Sequence, residues 1–453
     1  MNKVKISIVI FMLFCVSLFA QKPNTYQRGD FYQPNPRKLV GSKGENYDST
    51  KADCYKKLDT LERLDGKGKI KTALEWQNEV RPQVMDFVCN TLYTPLPPRP
   101  EHLKFELLER DDNALEGKAI RMQYKIISGD KLGEHAFTLL IYTPQNVKKA
   151  PVFINANYKG NHTVCDEKQI ILPTCYLRNS TDAKITDHRA HDHQRGVEYA
   201  LHPVREIIER GYAIATFCYH ELYPDKYEEK QTGFDESIYK IFDKSKLTGA
   251  PQAIAAWAYG KIRALDCIET IPELDASRAY ALGLSRLGKA ALYAAALDTR
   301  FAGVFSTSSC ILGTSMNRRN FGGNLKIAIS SSPFWYGPKL SKYADNVEAM
   351  PIDQQHFLAC IAPRPLYVSS ATNDYWCDPV GEFLSLLEAS KIYALYGAKK
   401  LPQKNDMKVE TPFFGDVGYH IRIGYHDITP YDWTQYMNYL DTLHNKPSTI
   451  LAQ

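Results

Sequence analysis

No cluster of basic residues marks the sequence. Lys and Arg number 56 against 51 Asp and Glu, and the resulting net charge of +5 is spread over 453 residues. That leaves no electrostatic footprint for nucleic acid or for an anionic membrane surface. Beyond residue 20 there is no apolar run of the ~18 residues that a membrane-spanning helix requires. No two cysteines stand at CxxC spacing, which excludes a zinc knuckle, and ten cysteines in a chain of this length do not make a small disulfide scaffold. No repeat or low-complexity tract interrupts the chain. The remainder, 44% hydrophobic and 24% charged with 25 prolines and 26 glycines, is the composition of a folded globular protein.

Lys3 and Lys5 precede an apolar run from Ile6 to Ala20, and the polar Gln21-Lys22-Pro23 follows. This pattern predicts a secretory signal peptide over residues 1–20, and hence a secreted or periplasmic protein with no membrane attachment after cleavage. Cys15, inside the run and preceded by Phe14, is poorly set for lipidation. The nine later cysteines can pair in an oxidising compartment, but an odd count leaves at least one free thiol. Cys218 and Cys267 lie in apolar segments and are expected as buried thiols.

Residues 21–117 read as an N-terminal extension packed on the core, with a stiff connector at Leu96-Pro97-Pro98-Arg99-Pro100. From residue 118 to 446 the texture is that of a single catalytic domain. Short β-type runs occur at Ala136–Tyr142, Pro151–Asn155, Tyr212–Phe217, Ala279–Leu282, Gly303–Ser306 and Leu366–Ser369. Helical patterns cover Ala253–Ile271, Arg286–Leu297 and Val380–Ala394. Apolar strands alternating with helices predict an α/β class: a doubly wound, mainly parallel sheet with helices on both faces, a three-layer sandwich.

Within that frame Arg278–Ala296 reads RAYALGLSRLGKAALYAAA, a strand run, then Gly283-Leu284-Ser285-Arg286-Leu287-Gly288, then an alanine-rich helix. Glycines two before and three after the serine permit a sharp strand-to-helix turn that exposes the hydroxyl beside the free N–H groups of the helix start. Ser285 is thus the candidate nucleophile of an α/β-hydrolase, although G-x-S-x-x-G is one residue longer than the usual elbow and a serine N-cap would look similar. Such a hydrolase needs an acid and then a histidine downstream. Asp374 and Asp378 both follow the run Leu366–Ser369. Asp374 is the better placed, because Asp378 directly precedes Pro379 and suits a helix N-cap. His420 sits in an alternating stretch, whereas His426 follows Gly424 in a loop before the last helix and is the preferred base.

Other polar clusters read as structural. The segment Asp187-His188-Arg189-Ala190-His191-Asp192-His193 has no apolar periodicity to anchor a helix and is expected as a solvated loop, not a metal site. Asn157–His162 occupies the place of an oxyanion loop or of a plain βα turn. His356 is expected to satisfy core hydrogen bonds, and Pro333–Tyr336 to lie half in the core and half on a cleft rim.

Several segments together resemble one family. Gly283–Lys289 (GLSRLGK), Arg318–Gly322 (RRNFG), Ile361–Pro365 (IAPRP), Asp374-Tyr375-Trp376 and Gly424–Trp433 (GYHDITPYDW) are similar to the glucuronoyl esterases of carbohydrate esterase family 15, in particular to bacterial members. The likeness spans roughly residues 120–445. It implies serine-type hydrolysis of the ester joining a 4-O-methyl-glucuronic acid branch of xylan to a lignin alcohol, by a monomer that needs no metal or organic cofactor. It also implies Ser285 as nucleophile, His426 as base, Arg286 at the oxyanion, and Lys289 and Trp376 on the uronate sugar. Three departures stand out. The loop Thr307-Ser308-Ser309-Cys310 lacks the acid that many members carry there, so Asp374 must serve. Gly323 replaces a glutamate expected to bind the sugar. Leu284 replaces a cysteine and removes one expected disulfide. The departure at Gly323 keeps an alternative open, an esterase for another plant-wall ester such as acetyl xylan or a methyl uronate. A catalytically inactive carbohydrate-binding homologue is the reading outside the enzyme class.

Overall fold

The computed structural model describes residues 44–226 and 232–445; the expected signal peptide and Cys15 lie outside the described residues. A ten-stranded sheet organises the chain. Its strands are β1 (His102–Asn113), β2 (Ala119–Asp130), β3 (Gly133–Pro144), β4 (Ala150–Asn157), β5 (Ala213–Cys218), β6 (Leu274–Leu284), β7 (Gly303–Thr307), β8 (Leu366–Ala371), β9 (Phe413–Phe414) and β10 (Gly418–Arg422). They are ordered β1-β2-β3-β5-β4-β6-β7-β8-β10-β9. Strands β5, β4, β6, β7, β8 and β10 run parallel to their neighbours, while β1 to β3 and β9 add antiparallel edges.

The central strands β4, β5, β7 and β8 are buried along their whole length, which is why they read as continuous apolar runs and not as alternating ones. One face is covered by the helices Ala253–Ile268, Ser285–Leu297 and Pro379–Leu395, whose Trp257, Leu287 and Phe383 join a single large apolar layer. The other is covered by Val204–Glu209 and Pro430–His444 through Ile207, Trp433, Tyr436 and Leu440. The three layers are those expected. Among the described residues no helix is long and apolar enough to cross a membrane.

The N-terminal segment is built into this architecture. Trp76, Val84, Val88 and Leu92, at helical spacing, are buried in the larger layer, and β1 pairs with β2 from His102↔Gly129 to Asp111↔Arg121. The boundary expected at residues 117/118 therefore falls between two paired strands. Between β4 and the helix Val204–Glu209 the chain makes short turns and irregular loops that form one wall of the site.

Candidate active site

Strand β6 ends at Leu284, and the helix begins at Ser285 with φ of +56°. This left-handed conformation is costly for a residue with a side chain and is the kind of strain kept at functional turns. Both flanking glycines are required by close approach. A Cβ on Gly283 would lie 2.2 Å from the Leu287 carbonyl oxygen, and one on Gly288 would lie 2.0 Å from Ser309 Oγ. Ser285 and Arg286 open into a cleft of about 510 Å³ that His426 and Asp427 also line.

His426 Nδ1 donates to Asp374 Oδ2 at 2.7 Å, with the imidazole 39% exposed and the carboxylate 3%. The two residues meet because β8 and β10 are parallel neighbours whose following loops are bonded together. Thr372 N–H donates to the Arg422 carbonyl and Asn373 N–H to the Gly424 carbonyl, both at 2.9 Å. Of the two acids, only Asp374 is turned toward the imidazole. Asp378 does precede the helix Pro379–Leu395, but its side chain makes no capping bond. Its carboxyl pairs instead with buried Arg319, and burial raises its pKa to about 6. The histidines separate likewise: His420 is fully buried on β10, bonded to Tyr367 and, at 2.8 Å, to Asp432.

Arg286 is held by residues from three separate segments. Its Nη1 donates to Asp225, which also accepts Trp335 Nε1 at 2.8 Å and the Tyr219 hydroxyl at 3.1 Å. The guanidinium lies 4.3 Å from the centre of the Trp335 ring and 5.6 Å from that of Tyr158, a cation–π contact with each. Trp335 belongs to the aromatic run expected to lie half in the core and half on a cleft rim, and it is buried, whereas Asp225 carries no local signal. Tyr158 and Lys159 make the segment after β4 part of the cleft, and the Tyr158 hydroxyl donates to the Leu284 carbonyl.

Trp376 is half-buried, and its indole packs on Gly323, where a Cβ would come within 3.0 Å of the ring. Lys289 is buried on the nucleophile helix and its ammonium donates to the Ser309 carbonyl; desolvation, reinforced by nearby Arg286, lowers its pKa to about 7. The loop that lacks an acid holds Ser308 and Cys310 in left-handed conformations, and Cys310 forms a disulfide with Cys377. Those two sulfurs and His426 are, among the described residues, the one convergence of three metal-ligating groups, but the bridge occupies both thiols. In the histidine-rich segment, His191 bonds to Asp187 on the surface. His356 is buried and its Nδ1 accepts from the Asp353 N–H, as a core histidine does. Cys218 and Cys267 are buried free thiols.

The sheet order, the elbow and the acid and histidine delivered by adjacent strand ends place the protein among the α/β-hydrolases. Comparison with known proteins narrows this. Residues 179–397 match the family model for fungal glucuronyl esterases. Carbohydrate esterase MZ0003, from an unknown prokaryotic organism, is 35% identical over 416 residues, covering 90% of this chain and 94% of its own. The structure of a promiscuous CE15 esterase from a marine bacterial metagenome superposes with a TM-score of 0.79 at 34% identity, over 88% of this chain and 99% of that one. A glucuronoyl esterase from Solibacter usitatus gives the same TM-score at 33% identity, over 86% and 99%. The chain belongs to carbohydrate esterase family 15, the glucuronoyl esterases.

Proposed function

We propose that the protein is an exported, monomeric serine esterase that opens 4-O-methyl-glucuronoyl esters linking xylan to lignin alcohols. The observation that carries the mechanism is the 2.7 Å bond from His426 to Asp374 in the cleft that Ser285 enters from a strained elbow. His426 takes the proton of Ser285 as Oγ attacks the ester carbonyl, while Asp374 fixes the imidazole and supports its positive charge. Helix-start N–H groups and Arg286 face the oxyanion, an arrangement that can supply ~3–4 kcal/mol per donor. The protonated His426 returns its proton to the departing alcohol. Water, activated by the same base, then releases the uronic acid.

Family membership supports the uronate as acyl group, and a 4-O-methyl-glucuronoyl methylesterase of Podospora anserina is 28% identical over 184 residues, 38% of each chain. Trp376 offers its ring to a sugar face. Two observations favour a second reading, a less selective esterase: the Lys289 ammonium is engaged with the Ser309 carbonyl, and Gly323 presents no side chain. Hydrolysis of benzyl glucuronate beside an aryl acetate separates the two. Preference for the uronate, by kcat/KM, upholds the first reading; preference for the acetate replaces it with the second.

A further inference from the structure

Beneath the reacting groups lies a carboxyl that the ester chemistry does not use. Glu382, in the first turn of the helix Pro379–Leu395, is fully buried. Its Oε1 accepts the Cys310 N–H at 3.1 Å and the Thr314 hydroxyl, and its Oε2 accepts the Ser370 hydroxyl at 2.6 Å. One side chain thereby ties the end of β8, four residues before Asp374, to the loop that follows β7. The opposite side of the same loop peptide is also held, because the Ser309 carbonyl accepts from Lys289 while the next N–H, that of Cys310, goes to Glu382. Cys310 is in turn bridged to Cys377, whose N–H donates to the Asp374 carbonyl at 3.0 Å.

This arrangement is costly. Burial raises the Glu382 pKa to about 8 and lowers that of Lys289 to about 7, and both groups also feel the charge of Asp374. An apolar pair would fill the space without a desolvation penalty. What the polar pair does, and an apolar pair could not, is satisfy both faces of a peptide in a loop where Ser308, Cys310 and Leu312 are all left-handed, and lock that loop to the strand end that presents Asp374.

We propose that Glu382 is a positioning residue for the triad: its three hydrogen bonds hold the Asp374 loop at bonding distance from His426, with Lys289 gripping the other side of the Ser309–Cys310 peptide. The inference rests on the triad reading above. In Glu382→Leu all three bonds are lost, so kcat for p-nitrophenyl acetate should fall at least about 100-fold while KM stays within about threefold. Glu382→Gln keeps a carbonyl for two donors and can donate to Ser370, and should retain more than about a tenth of wild-type kcat. A second readout needs no turnover. The His426 Nδ1 proton bonded to Asp374 should give a low-field NMR resonance, identified by its loss in His426→Ala, that disappears in Glu382→Leu and persists in Glu382→Gln. A folded Glu382→Leu protein that keeps both the resonance and wild-type kcat overturns the proposal. If the leucine variant does not fold, Ser370→Ala and Thr314→Val each remove one donor and should each lower kcat about three- to tenfold at constant KM; unchanged kcat in both overturns it. A wild-type protein that shows the resonance but cleaves no ester would refute the ester reading and leave the positioning role standing.

Discussion

Asp225→Asn tests how the cleft floor is organised. The aspartate side chain is 2% exposed, that of Arg286 15%, and the carboxylate is the shared acceptor of Arg286, Trp335 and Tyr219. An asparagine keeps the shape but has a single acceptor oxygen. If that oxygen stays toward Trp335, the amide N–H₂ faces the guanidinium, donor against donor. A hydrogen bond to a charged group is worth about 1.5–3 kcal/mol, so the fraction of molecules with Arg286 correctly placed should fall roughly 10- to 100-fold. On the proposed mechanism Arg286 meets charge that develops only in the transition state, so the loss should appear in kcat and leave KM within about threefold. Arg286 remains stacked on Trp335 and close to solvent, so the thermal midpoint should fall by only a few degrees. Steady-state kinetics on an aryl acetate, with calorimetry of the same sample, gives all three numbers. A kcat within twofold of wild type, or a loss confined to KM, would show that Asp225 does not act through Arg286.

Ser285→Ala should abolish turnover with little change in thermal midpoint, since a half-buried hydroxyl facing the cleft contributes little packing. Asp374→Asn should lower kcat by several powers of ten, whereas Asp378→Asn should instead destabilise the fold by about 3 kcal/mol, through the broken buried pair with Arg319; equal kcat losses in the two would refute the assignment. Gly323→Glu should lower kcat/KM for uronate esters more than for acetates, because its Cβ pushes on the indole of Trp376; improved uronate turnover would show that the ring yields. Asp432, buried against His420, Arg422 and Thr429, has its pKa depressed chiefly by the bond and charge of His420 working against burial. A depressed carboxylate adds stability above its unfolded pKa of about 4 that is lost as pH falls through its folded pKa. Asp432→Asn should therefore cost about 3 kcal/mol or more at pH 7, with the gap to wild type closing at acid pH; a gap independent of pH would remove the charge from the explanation.

The elbow was legible in the sequence because everything that makes it is local. A strand run, two glycines forced by contacts under 2.5 Å and a helix-forming stretch lie within twenty residues. The order of acid and histidine was legible too, since each sits just past a strand end. Which acid meets the histidine was legible only as a preference for Asp374. Asp374 and Asp378 are four residues apart in one loop, and only the pairing of β8 with β10 turns the first toward His426 and leaves the second to Arg319. Asp225 lies 61 residues before the arginine it holds, in a segment with no pattern of its own, so its role exists only where separate loops converge. Lys289 shows the same limit in reverse. Helical spacing places it one turn from Ser285, but the Ser309 carbonyl, in a strained loop packed behind the helix, draws its ammonium inward. Spacing along the chain fixes which face of an element a side chain leaves from; the partner it meets there is chosen by segments far away in the sequence.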